Sequence, residues 1–278
     1  MSRIYTALQQ PKTMGAQSPA TASVATRLAA SGPSNPPEHL RVVPGGADTS
    51  SLLGPSQPAR FSAWAPVDAC HLPVAVEQYR RLAGHLVRAQ EVQGTKVVML
   101  ASAASDEGKS VTAANLALTL SKSYRRNVLL IDADLRRPSL HEVFDVPNGG
   151  GLSELLARGR LARVAPVEVF PLLTLLPAGR PNPDPVGALT SPLMRRLIEE
   201  ASSWFDWVII DTPPLVPLPD AGLLAAMVDA VLLVIRAGST RHETVLRAIR
   251  ALGRERILGA ILNRATEGIF GHAHARVR

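Results

Sequence analysis

Three short stretches of this chain hold residue types suited to phosphoryl chemistry. The first is Ser102-Ala103-Ala104-Ser105-Asp106-Glu107-Gly108-Lys109-Ser110, directly after an apolar run. A Gly-Lys-Ser ending at a strand-to-helix junction has the form of a phosphate-binding loop. Gly108 lets the backbone approach phosphate. The N–H groups from Gly108 to Val111 open a helix whose dipole favours negative charge. Lys109 then reaches the β- and γ-phosphates, and the Ser110 hydroxyl is an oxygen ligand for Mg²⁺. The nucleotide-binding stretch so defined is Glu107, Gly108, Lys109, Ser110 and Val111. The loop departs from the usual pattern at Ala103, which replaces its first glycine. Asp106 and Glu107 also set two carboxylates near a triphosphate, which costs affinity unless they point to solvent.

The second stretch is Val128-Leu129-Leu130-Ile131-Asp132-Ala133-Asp134, followed by Leu135-Arg136-Arg137-Pro138. Four apolar residues lead into two acids at a strand's C-terminal edge, where parallel sheets bind ligands. The third is Trp207-Val208-Ile209-Ile210-Asp211-Thr212-Pro213-Pro214. An acid ending an apolar strand has the form of a Walker B, which holds Mg²⁺ through water. Ser110, Asp132 and Asp211 are therefore the candidate metal ligands, and Lys109, Asp132 and Asp134 the candidate catalytic residues. Bound Mg·ATP is the expected cofactor.

Something must bring these three stretches together. Strand patterns cover residues 96–101, 128–132, 172–176, 207–211, 230–235 and 257–262. Helix patterns cover 73–92, 109–122, 152–157, 192–202, 221–227 and 240–252. Strands that are nearly all apolar are buried on both faces, and their alternation with helices predicts an α/β, doubly wound, mainly parallel sheet. The expected class is a P-loop NTPase with Walker A, A′ and B motifs. Parallel strands would set the phosphate loop and the acids on one rim.

Residues 1–66 differ. They are rich in Pro, Gly, Ser and Ala and lack a sustained apolar period, which predicts a disordered tail. Within it Ile4, Tyr5 and Leu8 share one helix face and predict a short docking helix over 2–10. The catalytic domain is expected over 67–265, with a flexible tail over 266–278.

Composition excludes several classes. Cys70 is the lone cysteine, so no intrachain disulfide can form and a reducing compartment fits. It has no partner base for nucleophilic work. No apolar run approaches the roughly 20 residues that span a bilayer, and the first residues lack a secretory signal. A cytoplasmic protein, brought to the membrane by a partner, is expected. Net charge is +7, but only Lys12, Lys96, Lys109 and Lys122 are lysines. An Arg-for-Lys bias reads as genome composition, and no basic stripe interleaved with aromatics predicts nucleic-acid binding. His272 and His274 lack the further ligands of a metal site, and His141 reads as a helix-surface residue.

Residues 73–265 resemble the bacterial tyrosine kinases of capsule and exopolysaccharide assembly. The resemblance rests on Glu107-Gly108-Lys109-Ser110, on Leu130 to His141 with its Asp-Ala-Asp-Leu-Arg-Arg-Pro core, and on Ile209-Ile210-Asp211-Thr212-Pro213-Pro214. Leu176-Pro177-Ala178-Gly179 and Gly259-Ala260-Ile261-Leu262-Asn263-Arg264 add to it. It implies transfer of the ATP γ-phosphoryl group to tyrosine hydroxyls. Asp132 or Asp134 would polarise the incoming hydroxyl, Asp211 would position metal-bound water, and Asn263 would meet adenine. It also implies a membrane polysaccharide co-polymerase as activator and tyrosine-bearing protein substrates, the chain's own Tyr79 among them. Homo-oligomeric rings are implied through a Glu-x-x-Arg-x-x-Arg helix, where this chain has Glu77, Arg80 and Ala83.

Two departures set up alternatives. Tyrosines occur only at 5, 79 and 124, so the tyrosine-rich end usual in the family is missing, and Ser105-Asp106 replaces the family's Pro-Gly. A catalytically reduced ATP switch controlling polysaccharide export is the second reading. A Min/Par-type partition ATPase is the third, although the lysine those proteins carry five residues before Lys109 is Ala104 here.

Overall fold

Strands that are nearly all apolar need cover on both faces, and helices on each side of the sheet supply it. The computed structural model describes residues 3–8, 51–58, 73–158, 164–215 and 220–265. Its strands are β1 (Arg3–Leu8), β2 (Gln57–Pro58), β3 (Val97–Ser102), β4 (Val128–Asp132), β5 (Val167–Phe170), β6 (Leu173–Leu176), β7 (Trp207–Asp211), β8 (Ala230–Arg236) and β9 (Ile257–Ala265). Its helices are α1 (Pro73–Gln93), α2 (Lys109–Tyr124), α3 (Leu140–Val143), α4 (Leu152–Arg158), α5 (Pro185–Leu189), α6 (Pro192–Trp204), α7 (Asp220–Leu224) and α8 (His242–Leu252).

The nine strands form one sheet in the order β1-β9-β8-β3-β7-β4-β6-β5-β2. Neighbours from β9 through β6 are parallel. β1 joins β9, and β5 joins β6, antiparallel. Successive side chains on a strand face opposite ways, and the two cores divide accordingly. Val98, Leu100, Leu130 and Ile209 pack with Leu82 and Leu86 of α1 and Leu116 and Leu120 of α2. Met99, Leu129, Ile131, Val208 and Ile210 pack with Leu197 and Ile198 of α6. β3, β4 and β7 are buried at every position.

Helix ends follow local chemistry. Gly94 takes a positive φ of 72° just past α1, as helix stops often do. Ser191 caps α6 by accepting the Met194 N–H at 3.2 Å, with Pro192 as the first helical residue. Among the described residues no helix is long and apolar enough to cross a membrane.

Parts of the expected tail belong to the sheet. Residues 3–8 form a strand, not a helix, with Thr6 opposite Ile261 and Leu8 opposite Gly259. A short isolated helix is marginal in water, whereas the open edge of β9 offers a row of backbone partners. Residues 51–58 also pack down. Leu52 and Leu53 are buried, Leu53 bridges Val164, and β2 pairs with β5. The Glu200 carboxylate of α6 accepts the Leu52 N–H at 3.0 Å and the Leu53 N–H at 3.1 Å. That anchor is far away in sequence, so a boundary at residue 66 drawn from composition misses it. Residues 1–2, 9–50, 59–66 and 266–278, the remainder of the two expected tails, lie outside the described residues.

Candidate active site

The phosphate loop links β3 to α2 and is tied down from three sides. Gly108 adopts φ 83°, and a Cβ there would overlap the Asn263 side-chain amide. Asp106 adopts φ 60°, a left-handed conformation that Asp tolerates better than most residues. The Glu107 side chain turns inward and is 2% exposed. Its Oε2 accepts the Ala103 N–H at 2.8 Å, and its Oε1 accepts the Thr240 hydroxyl. Asn263 Nδ2 donates to the Glu107 carbonyl at 2.8 Å. One carboxylate that the sequence set against the triphosphate is thus consumed in holding the loop.

The acids sit where the sheet predicts. Asp132 and Asp211 are register partners on the neighbouring strands β4 and β7, and neither is exposed. Asp132 accepts the Asp134 N–H at 3.1 Å, the Ser139 N–H at 3.1 Å and the Leu140 N–H at 3.0 Å. Burial pushes its carboxyl up to about 7, and the Asp211 charge adds to this. The Leu140 N–H, the Lys109 charge and the Asp134 N–H pull the other way. Asp211 is also pushed up by burial, while the Lys109 charge and hydrogen bond, then the Ser110 hydroxyl, pull it down.

Lys109 Nζ donates to Asp211 Oδ1 at 2.5 Å. Among the described residues Asp211 Oδ2 is buried without a hydrogen-bond donor. An unpaired buried acceptor is costly, and a hard cation would satisfy it. Ser110, Asp132 and Asp211 offer only oxygen, which suits Mg²⁺. Among the described residues no cluster of three His, Cys, Asp or Glu could hold a metal.

Above these groups opens a cleft of about 550 Å³, lined among others by Lys109, Ser110, Asp134, Arg137, Pro214 and Arg264. Asp134 Oδ1 accepts the Arg136 and Arg137 N–H groups at 3.3 and 3.0 Å, and so shapes the turn that carries both arginines. Asn263 does not line the cleft; its neighbour Arg264 does. Val111 lines it and is exposed. Thr240 and Arg264 escape the sequence reading, because Thr240 reaches Glu107 across 133 positions and no local pattern marks such a contact.

A glycine-lysine-serine loop and two acid-tipped strands at one rim of a parallel sheet define a P-loop nucleotide-binding protein. Residues 98–269 match the CobQ/CobB/MinD/ParA nucleotide binding domain. The chain is 39% identical over 190 residues to the tyrosine-protein kinase YwqD of Bacillus subtilis (strain 168), covering 67% of this chain and 80% of that one. It is 36% identical over 183 residues to the succinoglycan biosynthesis transport protein ExoP of Rhizobium meliloti (strain 1021), covering 64% of this chain but only 23% of ExoP. The kinase domain of the Escherichia coli tyrosine kinase ETK superposes with a TM-score of 0.64 at 32% identity, over 75% of this chain and 84% of that domain. This chain belongs to the bacterial tyrosine kinases, a branch of that nucleotide-binding family.

Proposed function

We propose that the chain transfers the γ-phosphoryl group of ATP to tyrosine hydroxyls of proteins in capsule or exopolysaccharide assembly. The observation that carries this is the meeting of Lys109, Ser110, Asp132 and Asp211 at the C-terminal rim of β3, β4 and β7. Mg²⁺, when bound, neutralises charge on the β- and γ-phosphates. The N–H groups opening α2 bind phosphate oxygens, and Lys109 leaves Asp211 to join them. Asp211 and Ser110 hold the metal side, and Asp132 fixes the following turn through its three N–H contacts. Asp134 lines the cleft, so it is the better placed of the two acids to accept the tyrosine proton. Arg264 supports the nucleotide from the end of β9, while Asn263 acts through the loop.

ExoP is by name a succinoglycan biosynthesis transport protein, which supports a place beside an export machine. The chain then works at the inner face of the plasma membrane, with a membrane co-polymerase as activator, and self-assembles there. Ala83, where the ring-forming helix carries its second Arg, is fully buried, so contacts between copies must use other parts of α1.

A second reading is an ATP-binding switch without tyrosine transfer. The hold of Asp211 on Lys109 and the Asp106 carboxylate in the cleft lining support it, since both oppose a tightly bound triphosphate. Incubation with γ-labelled ATP and a Glu/Tyr copolymer separates the two. Labelled phosphotyrosine that disappears in Lys109→Met supports the kinase. Phosphate release alone supports the switch.

A further inference from the structure

The chain has tyrosines at 5, 79 and 124 only, and the structure treats them differently. Tyr79, expected from sequence as an acceptor, is 6% exposed and packed in the α1–α2 core with Leu82 and Leu86. It cannot enter another active site without α1 leaving the sheet, which corrects that expectation. Tyr5 lies in β1, whose side chains are outside the described residues. Tyr124 is the last residue of α2, at a corner where the chain turns through Arg125 in the left-handed region. It is only partly buried. Its hydroxyl donates to the Arg80 carbonyl of α1 at 2.8 Å.

A groove of about 510 Å³ opens beside it, lined by Val76, Arg80, Leu118, Lys122 and Tyr124 among others. Arg80 has no ion pair among the described residues. Lys122 lies 6.0 Å from the centre of the Phe170 ring. An anion at the C-terminus of a helix is disfavoured by the dipole, so a phosphate on Tyr124 needs nearby cations, and two line its groove. Freeing the hydroxyl breaks one neutral hydrogen bond and does not require α1 to leave the sheet.

We propose that Tyr124 is an acceptor of this chain's own kinase activity, modified by a second copy. The inference rests on the kinase reading above. Lys109 opens α2 and Tyr124 closes it, a separation of roughly 22 Å along the helix axis at 1.5 Å per residue. A copy therefore cannot present Tyr124 to its own cleft. In the reaction, Tyr124 Oη of one copy attacks the γ-phosphorus of ATP on the other. The new O–P bond forms as the bond to the β,γ-bridging oxygen breaks. ADP leaves with that electron pair, and the Oη proton passes to Asp134 of the second copy. The phosphate ester has no hydroxyl hydrogen to offer Arg80, so that hydrogen bond to α1 is lost while the apolar α1–α2 contacts remain.

The test mixes a donor, Tyr124→Phe, with an acceptor, Lys109→Met/Asp211→Asn. The paired acceptor substitution keeps the buried site neutral and the chain folded. Full-length chains with Mg·ATP are mapped by phosphopeptide mass spectrometry, and a Glu/Tyr copolymer is assayed in parallel. We expect phosphate on Tyr124 of the acceptor, at an initial rate that rises with donor concentration. The Tyr124→Phe chain should keep its copolymer activity while losing most of its own labelling. Copolymer phosphorylation with Tyr124 unlabelled, or label on Tyr5 or Tyr79 alone, overturns the assignment and leaves the kinase reading intact. Failure to phosphorylate the copolymer overturns the kinase reading, and the site with it.

Discussion

Lys109 Nζ and Asp211 Oδ1 lie 2.5 Å apart, with 7% and 0% of their side chains exposed. The lysine that the proposed function assigns to phosphate is thus held by the acid it assigns to the metal. In the proposed function nucleotide and metal would replace that contact on both sides, phosphate meeting Lys109 and the cation Asp211. Because the pair is dry, neither charge can be removed alone without leaving the other uncompensated.

The first prediction concerns that pair. Lys109→Met should destabilise the nucleotide-free protein by about 3 kcal/mol, the usual scale for stranding one member of a buried ion pair. Lys109→Met/Asp211→Asn should recover most of this while still failing to transfer phosphate. Urea titrations of the wild type, Lys109→Met, Asp211→Asn and the double variant give the coupling energy. Additive losses would show that the contact carries no stability.

A second prediction follows from Asp132. Its carboxyl is pushed from an ordinary 3.8 up to about 7, first by burial and then by Asp211. Between those values the folded chain keeps a proton that the unfolded chain has released. Its contribution to stability is therefore full below about pH 4 and is lost as pH rises through about 7. Melting temperatures of the nucleotide-free protein across that window should fall with a slope that Asp132→Asn flattens. The variant should also be less stable throughout, since an Asn side chain matches the three N–H donors poorly. Loading with Mg·ADP near pH 6 should release a proton, visible as a heat that varies with buffer. The same slope in wild type and variant would rule Asp132 out as its source.

Asp106 yields the third. It is exposed, lines the cleft and has φ 60°, so it carries two burdens: backbone conformation and a negative charge where the proposed function sets phosphate. Asp106→Asn removes only the charge and should tighten Mg·ADP binding about three- to tenfold at low salt, by Coulomb repulsion relieved at this range. Asp106→Gly should match that gain and add up to about 1 kcal/mol of stability, because glycine takes the left-handed conformation freely. Calorimetric titration at two ionic strengths, with thermal melts, checks both. Equal affinity in all three chains would mean that the Asp106 carboxylate does not feel the triphosphate.

The amino-acid sequence by itself determined the strands at the centre of the sheet and the chemistry at their ends. Apolar runs such as Val128–Asp132 and Trp207–Asp211, short and set between helical patterns, read as strands covered on both faces. The Gly-Lys-Ser turn is equally local: its job needs a small residue, a cation and a hydroxyl in succession. Tertiary structure decided everything that depends on which distant residues meet. Residues 3–8 are a strand because β9 offers an edge, and residues 51–58 are anchored by Glu200. Glu107 serves the loop because Thr240 stands over it. Tyr79 is core and Tyr124 reachable because α1 lies against α2. Sheet order sets Asp132 beside Asp211, and burial then fixes their protonation and draws in Lys109. Periodicity records which face a residue turns to its own element's neighbours, but not which neighbour arrives; desolvation and pairing energies exist only once it has.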